Sequence, residues 1–117
     1  MNIEKFEDII AWKKSKELTL WVYKNFKQCR DLSFRNQIER ASISIMNNIA
    51  EGFERRGDKE FRQFLFISKG SCGEVRSMLD IGFELGYIEE VDLKFYNNMC
   101  IEISKILSGL IKKLNLD

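Results

Sequence analysis

Residues Gln37–Leu65 read QIERASISIMNNIAEGFERRGDKEFRQFL. In the first part Ile38, Ala41, Ile45, Ile49 and Phe53 recur at intervals of three and four, the spacing of one face of an α-helix. Gly57-Asp58 interrupts that period, which resumes with Phe61 and Leu65. Glycine suits a left-handed position just past a helix, and aspartate suits the cap of the next one. The stretch therefore reads as two helices folded back on each other around a corner, not as a catalytic loop. Gly52, inside the first helix, reads as a point of close contact.

The same period extends in both directions. Upstream, Phe6, Ile10, Leu18, Val22 and Phe26 mark a first helix, with Lys13, Lys16, Lys24 and Lys27 on its other side. The segment QCRDLS, Gln28–Ser33, breaks the pattern and offers Asp31 or Ser33 as an N-cap. Downstream, Leu65, Cys72, Val75, Leu79 and Gly82 carry a third helix to about Leu85-Gly86. Val91, Phe95, Met99, Ile103, Ile106, Leu110 and Leu114 mark a fourth. No segment sustains strand alternation, and proline is absent, so nothing breaks long helices. Short connections force antiparallel neighbours. The prediction is all-α: an antiparallel up-down-up-down four-helix bundle, one domain over residues 1–117.

Antiparallel pairing about Gly57-Asp58 brings residues of the second and third helices level. Ala41 and Ser42 fall near Gly73, and Ser44 and Ile45 near Gly70. Small residues on both sides let backbones approach, so Ala41, Ser44, Gly52, Gly70 and Gly73 are expected to form a close packing seam. The alternative, GSCGE as a phosphate-cradling loop, lacks a preceding strand. Arg40 falls level with Glu74, which predicts an interhelical ion pair that sets register.

Histidine is absent, which excludes Ser-His-Asp and Cys-His nucleophiles, H-E-x-x-H zinc sites and the Glu-x-x-His motif of di-iron bundles. No enzymatic activity, cofactor, metal or small-molecule substrate is expected. Cys29, Cys72 and Cys100 are widely spaced and odd in number, which suits reduced thiols in a cytoplasmic protein. MNIEKFEDII has no signal-peptide apolar run, and no membrane association is expected.

With 19 Lys+Arg against 18 Asp+Glu, the net charge is +1, so polyanion binding needs a local patch or repeated copies. Lys59, Arg62, Lys69 and Arg76 share one face of the third helix, and Arg55 and Arg56 adjoin its first turn. Interleaved Glu51, Glu54, Asp58 and Glu60 make a solvated face the plainer reading. The sharper one is a grip on backbone phosphates without sequence reading, for which arginine is well suited. Trp12, Trp21, Tyr23, Phe64, Phe66 and Ile67 make a wider apolar arc than one core needs, which points to a subunit interface.

The segments FEDIIAWKKSKELTLWVY, QIERASISIMNNIAEGFERRGDKEFRQFL and GSCGEVRSMLDIGFELGYI resemble the bacterial four-helix bundle family encoded in intervening sequences of 23S ribosomal RNA genes. The likeness runs from Phe6 to about Leu110 and is sharpest where Q-x-x-R-A-x-x-S, N-I-A-E-G and F-x-x-F-L follow in order. Met46 stands where the family usually has proline, as do Gln28-Cys29 in the first loop. The resemblance implies a homopentamer without enzymatic activity. A related branch, the accessory proteins of diversity-generating retroelements, partners a reverse transcriptase and binds nucleic acid through a basic surface. A chain at +1 is less basic than that branch. The expectation is thus a self-associating protein that binds RNA weakly and without sequence preference. The competing expectations are a scaffold with no nucleic-acid ligand and a reverse-transcriptase accessory protein.

Overall fold

The computed structural model, which describes residues 2–114, has a helix for each predicted apolar period, but Phe6 lies before the first helix and Ile10, Val91 and Phe95 are exposed. A short 3-10 turn, Phe6–Asp8, precedes α1 (Ile10–Asn25), α2 (Leu32–Phe53), α3 (Asp58–Glu84) and α4 (Glu90–Lys113). There is no strand among the described residues. No helix among them is long and apolar enough to cross a membrane.

Cross-helix contacts settle the topology. Between α2 and α3, Ser44 meets Ser71 and Phe53 meets Phe61; one number rises as the other falls, so the helices run antiparallel. The same holds for Thr19–Ser42 and Phe26–Phe34 across α1 and α2, and for Lys14–Glu102 and Trp21–Tyr96 across α1 and α4. Each helix packs on its two neighbours around the bundle, and no Cα atoms of diagonal helices come within 8 Å among the described residues. The result is an up-down-up-down bundle 47 × 21 × 20 Å in extent. Its axis is filled by Leu18, Val22 and Phe26 of the first helical unit, Ile38, Ile45 and Ile49 of α2, Leu65, Val75 and Leu79 of α3, and Ile103 and Leu107 of α4, all fully buried.

The helix ends explain the turns. Asp31 caps α2, its carboxylate accepting from Phe34 N–H at 3.1 Å and from the Tyr87 hydroxyl at 2.8 Å. The α2–α3 corner differs from expectation. Gly57 is extended (φ −156°) and itself caps α3, because Glu54–Arg56 already carry the turn. The left-handed glycine is Gly86 (φ 81°), just past the end of α3. Tyr87 N–H then bonds Gly82 C=O at 2.8 Å and Gly86 N–H bonds Phe83 C=O at 3.0 Å, a Schellman closure.

The α2–α3 seam is sealed by small residues, though not all of those expected. Ala41 is buried, Ser44 bonds Ser71 at 2.9 Å, and Ser68 donates to Ile45 C=O at 2.8 Å. Gly52 lies so close to α3 that a Cβ there would sit 2.5 Å from Phe64 Cβ. Gly70 and Gly73, in contrast, are exposed, and a Cβ on either would meet nothing within 4 Å. They are level with the seam but about 100° or more around the helix from the buried Ser71 and Cys72. Gly82, on the apolar period of the third helix but not among the expected close contacts, is the second close approach: its Cβ would meet Phe34 Cζ at 2.7 Å.

The expected Arg40–Glu74 ion pair does not form, since no such contact within 4.0 Å exists among the described residues. Glu74 instead accepts from the Gln37 amide. Gln37 shares the α3-facing flank of α2 with Ala41, Ser44 and Asn48, at helical intervals of three and four. Arg40 is rotated about 60° farther from that flank. The register is right, and the rotational phase excludes the pair.

Candidate nucleic-acid interface

The six basic residues singled out in the sequence separate into two groups. Arg55, Arg56 and Lys59 stand exposed at the α2–α3 corner. There Arg55 pairs with Glu51 at 3.0 Å and lies over the Phe64 ring, 5.0 Å from its centroid. Arg55 is therefore partly neutralised, which weakens the corner as an anion site.

Arg62, Lys69 and Arg76 recur every seven residues and form no ion pair within 4.0 Å among the described residues. They lie on the flank of α3 that faces α4. Arg76 fixes the direction: its Nε donates to Asn97 Oδ1 of α4 at 3.3 Å. Arg62 is half-buried and lies over the Phe66 ring at 5.3 Å, and its buried Nε has no hydrogen-bond partner among the described residues. Phe66, 50% exposed, thus stands between Arg62 and Lys69 on the same ridge.

The opposite wall escaped the sequence reading. Lys94 lines a cavity with Arg76 and Asn97 between α3 and α4. Lys105 and Lys112 follow at intervals of eleven and seven, which return to nearly the same helical angle. Both are exposed. This spacing was visible in the fourth helix, but only the packing shows which neighbour it faces. Of the acidic side chains nearby, Glu90 pairs with Lys94 at 3.2 Å and Asp80 lines the cavity. By helical phase, Arg62, Lys69 and Arg76 along about 20 Å of α3 and Lys94, Lys105 and Lys112 along α4 border the α3–α4 groove, and Arg76 and Lys94 meet at its cavity.

The ionisation shifts lie elsewhere. Burial pushes the Cys72 and Cys100 thiols up to about 12, so both are inert core groups. The Phe34 N–H and Tyr87 hydroxyl hold Asp31 below the usual carboxylate range. A hydrogen bond from Lys14 to Glu102 raises the lysine.

The outer face of α3 carries half-exposed apolar groups. Phe66, Ile67, Ile81 and Leu85 are each 46–53% exposed. Among the other expected surface aromatics, Trp21 is half-buried, stacked on Tyr96 at 3.8 Å, and Tyr23 is 41% exposed.

Comparison with known proteins adds three facts. A family profile described as 23S rRNA-intervening sequence protein matches residues 7–109. A solved structure of a protein of unknown function from the S23 ribosomal protein family of Bacteroides thetaiotaomicron is similar to this chain. It aligns with a TM-score of 0.82 at 25% identity, over 89% of this chain and 96% of that one. No curated protein matches.

Proposed function

The chain belongs to the 23S rRNA-intervening sequence protein family, and from that premise we propose that it is a self-associating, non-enzymatic protein that binds RNA backbone without reading sequence. The observation that supports this most is the α3–α4 groove, bordered by Arg62, Lys69 and Arg76, without ion-pair partners among the described residues, and by Lys94, Lys105 and Lys112. Exposed Phe66 adds a face on which a base can stack, a contact that tolerates any base. Cations along a groove follow a phosphate backbone, and arginine grips it bidentately.

Self-association compensates for a net charge of only +1. Ile67, Ile81 and Leu85 on the outside of α3 supply apolar area for a neighbouring copy, and a homopentamer would present five grooves. Multivalent display raises avidity by orders of magnitude with no new contact. A scaffold without nucleic acid is the second reading, favoured by the Arg55–Glu51 pairing at the corner.

Light scattering across concentrations, paired with RNA mobility shifts across a salt series, tests the proposal. Binding whose log affinity falls with log salt, by about 0.7 for each single-strand phosphate contacted, is the expected result. A monomer that retards no RNA at low salt overturns it.

A further inference from the structure

Arg76 and Asp80 stand four residues apart on α3, the spacing at which arginine and aspartate on a helix commonly pair. Here they do not. Arg76 Nε reaches across the groove to Asn97, and Asp80 has no ion-pair partner within 4.0 Å among the described residues. Beside them opens a cavity of about 510 Å³, lined by Gly73, Arg76, Ser77 and Asp80 on α3 and by Leu93, Lys94 and Asn97 on α4. Gly73 leaves its floor open, since no atom lies within 4 Å of where a Cβ would be.

This set of groups narrows the ligand. Arg76, without an ion-pair partner among the described residues, suits an anion, and Lys94, shared with Glu90 at 3.2 Å, adds to it, while a free carboxylate in the same cavity opposes a plain anion. A neutral sugar would satisfy Asp80 and leave Arg76 without an anion. A ligand that suits all three carries a negative charge and a hydroxyl donor within one small unit. The ribonucleotide repeat, a phosphodiester beside a ribose 2′-hydroxyl, is such a unit.

We propose that this cavity is a ribonucleotide subsite in which Arg76 and Lys94 hold a phosphodiester while Asp80 accepts a hydrogen bond from the ribose 2′-hydroxyl, so that RNA is preferred over DNA. The inference rests on the reading of the α3–α4 groove as a backbone-binding surface and adds a residue that reads the sugar. DNA gives Asp80 no donor, which leaves a bare carboxylate beside a phosphate. Asp80 is thus a selectivity group, and its removal should act oppositely on the two polymers.

Fluorescence anisotropy with oligouridylate, the matching deoxyuridylate and 2′-O-methyl uridylate tests this at one fixed salt concentration. The wild-type protein should bind the ribo-oligomer about tenfold tighter than the deoxy-oligomer, the worth of one hydrogen bond to a charged acceptor. It should treat the 2′-O-methyl oligomer, which cannot donate, like DNA. Asp80→Ala should bring the RNA-to-DNA ratio close to one, mainly by tightening DNA; Asp80 is exposed, so the bundle should fold unchanged. Equal wild-type affinities, a ratio unchanged in Asp80→Ala, or 2′-O-methyl binding as tight as RNA would each overturn the subsite and leave backbone binding intact. Failure of all three oligomers to bind removes the groove reading itself.

Discussion

Gly52 and Gly73 lie on two facing helices yet have opposite surroundings. At Gly52 a Cβ would strike Phe64 Cβ at 2.5 Å, while at Gly73 it would meet nothing within 4 Å. The first belongs to the α2–α3 seam, where hydroxyls such as Ser44, Ser68 and Ser71 find partners across the interface. The second borders the α3–α4 groove, where Arg62, Lys69 and Arg76 remain without ion pairs among the described residues. One flank of α3 is committed to packing, which leaves the other to carry charge. Identical residues in identical secondary structure therefore carry different meanings, decided by what faces them.

The groove side gives the largest expected effect. Replacing Arg62, Lys69 and Arg76 together by glutamine should weaken RNA binding on the order of a hundredfold at low salt and reduce the salt slope by about 2. Thermal stability should hardly move, and unchanged RNA affinity would end the contrast between the flanks. On the seam side, Gly52→Ala should destabilise the bundle by about 2 kcal/mol in urea unfolding, because the neighbouring Cβ belongs to a helix that cannot yield alone. Ser68→Ala should cost about 1 kcal/mol by removing the bond to Ile45 C=O.

Gly73→Ala should have the opposite sign, stabilising by up to about 1 kcal/mol, since it relieves the helix penalty of glycine in open space. A destabilised Gly73→Ala would show that the groove is packed after all. The smallest effect concerns pH. The folded-state pKa of Asp31 is lowered by its bonds from Phe34 and Tyr87, so its stabilisation is present above the unfolded value near 3.9 and is lost as pH falls through the lower folded value. The stability gap between wild type and Asp31→Ala should therefore be open at neutral pH and close in acid, as read by denaturation midpoints at several pH values.

Much of this was legible without coordinates. The apolar periods located the helices, and Asp31 was among the residues named as a cap. The antiparallel register about the GD corner placed Ser44 beside the level at which it meets Ser71. The errors share one cause. Gly70 and Gly73 were assigned to the seam, and Arg40 to Glu74, from level alone. Level depends on residue number, whereas contact also depends on rotation about the helix axis, and 3.6 residues per turn spread neighbouring positions around the whole circumference. The family segment Gln37–Leu65 carried the likeness, and most of its residues serve the closed flank.

By itself, the sequence determined four amphipathic helices, their short connections and hence their antiparallel order, because apolar burial at helical spacing allows few other arrangements. It also determined which residues are basic. Tertiary structure alone decided which of those remain unpaired among the described residues, that Arg76 turns to Asn97 instead of Asp80, and that Lys94 shares a cavity with Arg76. Long charged side chains choose among partners on neighbouring helices, and that choice depends on the rotational phase of each helix, which only the packed core sets.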